Sequence, residues 1–158
     1  MKDSNDFASY LTDAEIAKVA PMIERLNALD SRSEKQGSFM DFVKYVWPQF
    51  IEGKHHKIYA QKLQDVADGK CKRLIINMPP RHTKSEFASY LFPTWLMGRD
   101  PTKKIIQATH TAELAVGFGR KIKNLIESED FKDVFPDVSL AVDAKASGRW
   151  STNAGGEY

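Results

Sequence analysis

Around residue 73 the apolar residues change their spacing, and that change limits what this 158-residue chain can fold into. Before it they recur three and four apart: Ile16, Val19, Ile23 and Leu26, then Phe39, Phe42, Val43 and Val46. That is the stripe of an amphipathic helix. After it come a compact run (Leu74, Ile75, Ile76), a loop from Met78 to Thr83, and Lys84-Ser85 opening a helix-like segment with Phe87, Tyr90, Leu91 and Leu96. A second short run at residues 103–109 leads into a helical pattern over 111–127, with Leu114, Phe118, Ile122 and Ile126 spaced four apart. Strand–helix–strand–helix order predicts an α/β fold, a parallel sheet flanked by helices behind a helical lead-in. The expected strands are residues 73–78 and 103–109, with shorter ones at 138–143 and 148–152.

The stretch between the first run and its helix carries the chemistry. Strand, loop, Lys-Ser and helix is the order of a phosphate-binding P-loop, and on that reading the expected sheet is part of a P-loop NTPase fold. Loop N–H groups and the helix N-terminus face the anion, a lysine reaches the β- and γ-phosphates, and a hydroxyl completes the Mg²⁺ shell. The standard pattern Gly-x-x-x-x-Gly-Lys-Ser/Thr falls on Met78 through Ser85, with both glycines replaced, by Met78 and Thr83. Glycine is favoured where the backbone needs a positive φ or approaches a ligand closely. Spacing alone therefore leaves two readings open: a nucleotide loop, or an ordinary connection ending in a solvated lysine.

Met-Pro-Pro-Arg-His-Thr-Lys-Ser-Glu resembles the deviant ATP-binding loop of large terminase subunits, the DNA-packaging motors of tailed bacteriophages. Upstream, Phe42-Val43-Lys44-Tyr45-Val46-Trp47-Pro48 and His55-His56 resemble that family's lead-in to its ATPase core. Downstream, residues 92–101, Phe118-Gly119-Arg120 and Arg149 to Gly156 are similar to it in order and spacing. The resemblance runs from about residue 39 to the end of the sequence.

It implies that Pro80, Arg81, His82, Thr83, Lys84 and Ser85 line ATP, with Ser85 on Mg²⁺. It further implies that Arg81 neutralises charge building on the γ-phosphate, as an arginine finger does. Gln49, in Trp47-Pro48-Gln49, stands where related motors contact the adenine. The implied partners are double-stranded viral DNA, the portal protein, a small terminase subunit and further copies in a ring, at the procapsid portal vertex in the host cytoplasm. Such a motor also needs an acidic pair after a later apolar strand, and its family carries a nuclease domain. No apolar run here ends in Asp-Asp or Asp-Glu. The expectation is a front half: residues 1–37 a leader and helix, 38–158 the ATPase part before its acidic motif, inactive by itself. Two other readings stay open, a helicase-like ATPase fragment and a non-catalytic assembly module.

Composition sets outer limits. With 42% hydrophobic and 28% charged residues the chain suits a globular domain, and no apolar run approaches a membrane span. A net charge of +2 is too small to read as a nucleic-acid surface, so the clusters at Lys103-Lys104 and Arg120-Lys121-Lys123 are expected to be solvated. The single Cys71 excludes an internal disulfide and fits a reducing compartment. His55, His56, His82 and His110 lack metal-ligand spacing, and His82 reads as a loop-shaping residue. Trp95 and Trp150 read as core.

Residues 1–10 read as a polar leader. Thr12-Asp13-Ala14-Glu15 is a capping-box pattern with Leu11 and Ile16 as a staple, Pro21 is expected to kink the first helix, and residues 30–37 read as a linker. Ser38 is expected to cap a helix ending before Pro48. Ile58, Leu63 and Val66 mark one face of the next, which stops at Gly69.

Overall fold

The structure, a computed structural model, describes residues 12–143 and 146–158. The polar leader and Leu11 therefore lie outside the described residues. The chain divides into two compact units between Ser33 and Glu34. Helix α1 runs from Asp13 to Gly37 and holds Pro21 in its interior. In the first unit it shows solvent an apolar face, with Met22, Ile23, Leu26 and Leu29 all exposed. Residues 30–37 are its last two turns rather than a linker. Nothing in Asp-Ser-Arg-Ser-Glu-Lys-Gln stops a helix before Gly37, and Arg, Glu, Lys and Gln are good helix formers.

In the second unit, α2 spans Phe39–Val46, and the hydroxyl of Ser38 accepts the Asp41 N–H at 3.3 Å. Helix α3 spans Lys54–Ala67 and closes at Gly69, whose φ of 74° takes the left-handed conformation expected of a C′ glycine. A π segment at Glu86–Leu91 runs directly into α4, Phe92–Arg99. Pro93 has no N–H and cannot continue an i→i−4 ladder. The turns before it take the wider register, in which the Phe92 N–H reaches the carbonyl of Phe87. Helix α5, Ala112–Glu127, is capped by Thr111, and α6, Glu129–Val134, by Ser128.

The described residues are 58% helix, and among them there are no strands and no sheet. The α/β expectation, and with it the partial P-loop NTPase fold, is overturned. Residues 73–79 and 106–108 have no regular secondary structure, and no backbone–backbone hydrogen bond engages residues 72–82 among the described residues. Three isolated bridges stand in place of a sheet: Lys104 with Glu157, Ser151 with Glu157, and Leu140 with Thr152. The period-two pattern survives as half-burial, for Leu74, Ile76 and Met78 lean on the core while Ile75 is 87% exposed. A strand is defined by its partner, and these segments have none.

Rings dominate the core. Phe39 meets Phe87, Phe92 and Trp95, while Phe42 meets Phe131 and Phe135. Trp95 is fully buried and its indole N–H donates to the Lys35 carbonyl at 3.1 Å, and Trp150 is also buried, so both tryptophans are core residues. Helix α3 buries His56, Tyr59, Ala60 and Leu63; of the expected face Leu63 is buried and Val66 half-buried, while Ile58 is exposed. No helix among the described residues is long and apolar enough to cross a membrane.

Candidate anion-binding site

Pro79 and Pro80 lead into the loop, and the chain then turns twice through the left-handed region. Arg81 has φ 64° and Thr83 φ 57°, the only positive φ values among the described non-glycine residues. For a side chain with a Cβ, each costs about 1–2 kcal/mol. Thr83 stands where the nucleotide-loop pattern has glycine, and it adopts the conformation for which glycine is selected. Left-handed residues alternating with others turn successive N–H groups toward one side, a concavity that suits an anion.

The helix that follows is anchored from beneath. The Phe87 N–H bonds the Thr83 carbonyl at 3.0 Å, and the Tyr59 hydroxyl donates to the Lys84 carbonyl at 2.8 Å. Burial pushes the Tyr59 phenol up to about 12, so it remains a donor at neutral pH. The Lys84 ammonium folds back to the Met78 carbonyl at 3.5 Å, the long limit of a hydrogen bond, and is held by little else. Ser85 sits in the first helical turn, exposed and with no side-chain capping bond. Lys54, His55, Arg81, His82 and Lys84 enter none of the ion pairs among the described residues. The carboxylates of the flanking segments are engaged elsewhere: Glu52 by Lys44 and Lys57, and Glu86 by Lys121.

Three of the four histidines meet here, a grouping that linear spacing does not reveal. The ring centroids of His55 and His56 lie 3.8 Å apart, and those of His55 and His82 5.6 Å apart. His56 is buried against Phe50 and Phe87, and its Nδ1 accepts the Gly53 N–H at 2.9 Å, closing the start of α3. His82 behaves as the expected loop-shaping residue, its Nδ1 lying 2.9 Å from the Pro80 carbonyl. Among the described residues no group of three or more His, Cys, Asp or Glu could hold a metal ion. A Mg²⁺ here fits only as one brought in on phosphate oxygens, with Ser85 as the protein's ligand.

Burial lowers the pKa of His56, and His55 and His82 lower it further. The unfolded chain therefore takes up a proton that the folded chain refuses. His56 contributes stability above its unfolded value, and this is lost as pH falls below about 6.5. Acidification from pH 7.5 to 5.5 is expected to lower the denaturant midpoint, and less so in His56→Gln. Equal losses in both chains would remove His56 as the cause.

Gln49 lies in the exposed turn after α2, and no hydrogen bond links its side chain to the loop; its neighbour Phe50 packs on Phe87. An open groove of about 290 Å³ adjoins the loop, lined by His55, Ile58, Tyr59, Lys62 and residues 74–78. A larger cleft of about 580 Å³ lies at the start of α5, lined by His110, Glu113 and the ion pair of Glu86 with Lys121 among others. Comparison with protein-family models, curated proteins and solved structures finds no match.

Proposed function

We propose that this chain is an ATP-binding portion of a DNA-packaging motor of the large-terminase type, with residues 80–85 holding the phosphates. The left-handed pair Arg81 and Thr83 carries the proposal. Strain of this kind, set beside a cation without a carboxylate partner, is what a loop shaped around a polyphosphate requires. Lys84 serves the β- and γ-phosphates, Ser85 the Mg²⁺ that arrives with them, and Arg81 the charge that grows during transfer. The open groove beside Met78 accepts the apolar part of the nucleotide. Sequence resemblance supports the wider setting: viral DNA, portal protein, small terminase subunit and further copies of the motor, in the host cytoplasm.

Binding and turnover separate in this reading. Glu52 and Glu86 are both engaged by lysines, and neither is free to activate water. Titrating the chain with ATP and Mg²⁺ is expected to give saturable heat that ADP and pyrophosphate compete away. Phosphate release should stay at background with or without DNA. Absence of saturable binding at millimolar ATP defeats the proposal; fast turnover by the chain alone defeats the division between binding and catalysis.

A further inference from the structure

The two histidines whose backbone partners are known carry opposite tautomers. The Gly53 N–H can only donate, so Nδ1 of His56 is a bare acceptor and its proton sits on Nε2. The Pro80 carbonyl can only accept, so Nδ1 of His82 carries the proton. Neutral His82 therefore has a lone pair on Nε2, which repels a phosphate oxygen. The imidazolium has a second N–H to offer there, and gains it without giving up the bond to Pro80. A second proton on His56 would break the cap of α3, which keeps that ring neutral. His82 has no such penalty.

We propose that His82 is a proton-dependent phosphate ligand, so that the loop takes up a proton together with the terminal phosphate of a nucleotide. The inference rests on the nucleotide-binding role given above and adds its regulation by pH. His82 is exposed, on the same turn as Arg81 and Lys84, with His55 facing it from the first turn of α3 and Lys54 beside His55. Every charged group of the loop and of the first turn of α3 is a cation or can become one, and the carboxylate farther along α3, Asp65, is paired with Lys62. The carboxylates of the flanking segments, Glu52 and Glu86, are tied to lysines. In the free protein the charges around His82 are therefore cationic. A phosphate group among them reverses the sign of the local field and favours the second N–H of an imidazolium. By linkage, the anion must then bind more tightly as the solution is acidified through the histidine range.

The test is titration of the 158-residue chain with ATP at pH 6.5 and 8.0, each in two buffers of different ionisation heat. His82→Asn and His82→Arg are run beside it. The wild-type chain is expected to bind about fivefold more tightly at pH 6.5 than His82→Asn, to match it at pH 8.0, and to take up protons on binding. His82→Arg, with its permanent charge, should keep the tight binding while losing both the pH dependence and the proton uptake. The ligand's own titration is common to all three proteins and cancels. Equal pH dependence in wild type and His82→Asn overturns the inference and leaves the nucleotide site standing. Absence of ATP binding in all three overturns both.

Discussion

Lys84→Ala is expected to weaken ATP binding by about one to two powers of ten while leaving the folded chain intact. The ammonium is exposed and makes one long contact, to the Met78 carbonyl at 3.5 Å, so its removal uncovers no buried group. A charge-assisted bond to phosphate is worth about 1.5–3 kcal/mol, which sets the size of the loss. Arg81 separates from it by design of the variants. Arg81→Ala keeps a Cβ at φ 64°, so it carries the same backbone strain and isolates the guanidinium. It should lower affinity by less than Lys84→Ala, and Arg81→Lys should recover only part, because a point charge cannot reproduce a planar fork. Isothermal titration with ATP measures all three, and circular dichroism checks that each remains folded. Wild-type affinity in Lys84→Ala would remove the loop from nucleotide binding altogether.

Phe87→Ala should cost the fold about 3–5 kcal/mol, the range for deleting a fully buried aromatic ring. The ring stands 5.4 Å from Tyr59 and from Phe50, and 5.6 Å from Phe39 and His56, so it ties α2, α3 and the segment before α3 to the helix behind the loop. Part of the cost falls on Tyr59, whose hydroxyl holds the Lys84 carbonyl. Phe87→Leu keeps most of the volume and should cost less than about 1.5 kcal/mol. Chemical denaturation of the two variants reads both numbers. A loss below about 1 kcal/mol in Phe87→Ala would mean that the loop does not depend on this cluster.

Local rules were legible in the sequence and non-local ones were not. Ser38 and Gly69 act within one helical turn of themselves, the first starting α2 and the second closing α3 as their chemistry dictates. The small helix α6 has the same kind of signal, Ser128 followed by Glu129 and Asp130, but is too short to show an apolar period. Sheet formation depends on partners that no window of sequence contains. Leu74-Ile75-Ile76 therefore kept a period of two in its burial without becoming a strand. On α3 the count of aliphatic residues favoured Ile58, while the core took His56, whose Nδ1 finds a backbone partner, and Tyr59, whose hydroxyl does. At the candidate site Arg81, Thr83 and Lys84 lie within four residues of one another in sequence and were found by motif. His55 was not, since only the folding of α3 against the loop brings it to His82.

Shelf life, rather than melting temperature, is what the bare segment at residues 73–79 governs. Leu-Ile-Ile-Asn-Met is uncharged, proline-free and rich in β-branched residues, with no backbone–backbone hydrogen bond among the described residues and Ile75 open to solvent. Such a segment templates stacking between molecules. Lys72-Arg73 on one side and Pro79-Pro80 on the other act as gatekeepers, the first by charge and the second by geometry. Salt blunts the charge and leaves the prolines untouched. Concentrated stocks will therefore cloud sooner at high ionic strength than at low, the reverse of what the modest net charge of +2 would suggest.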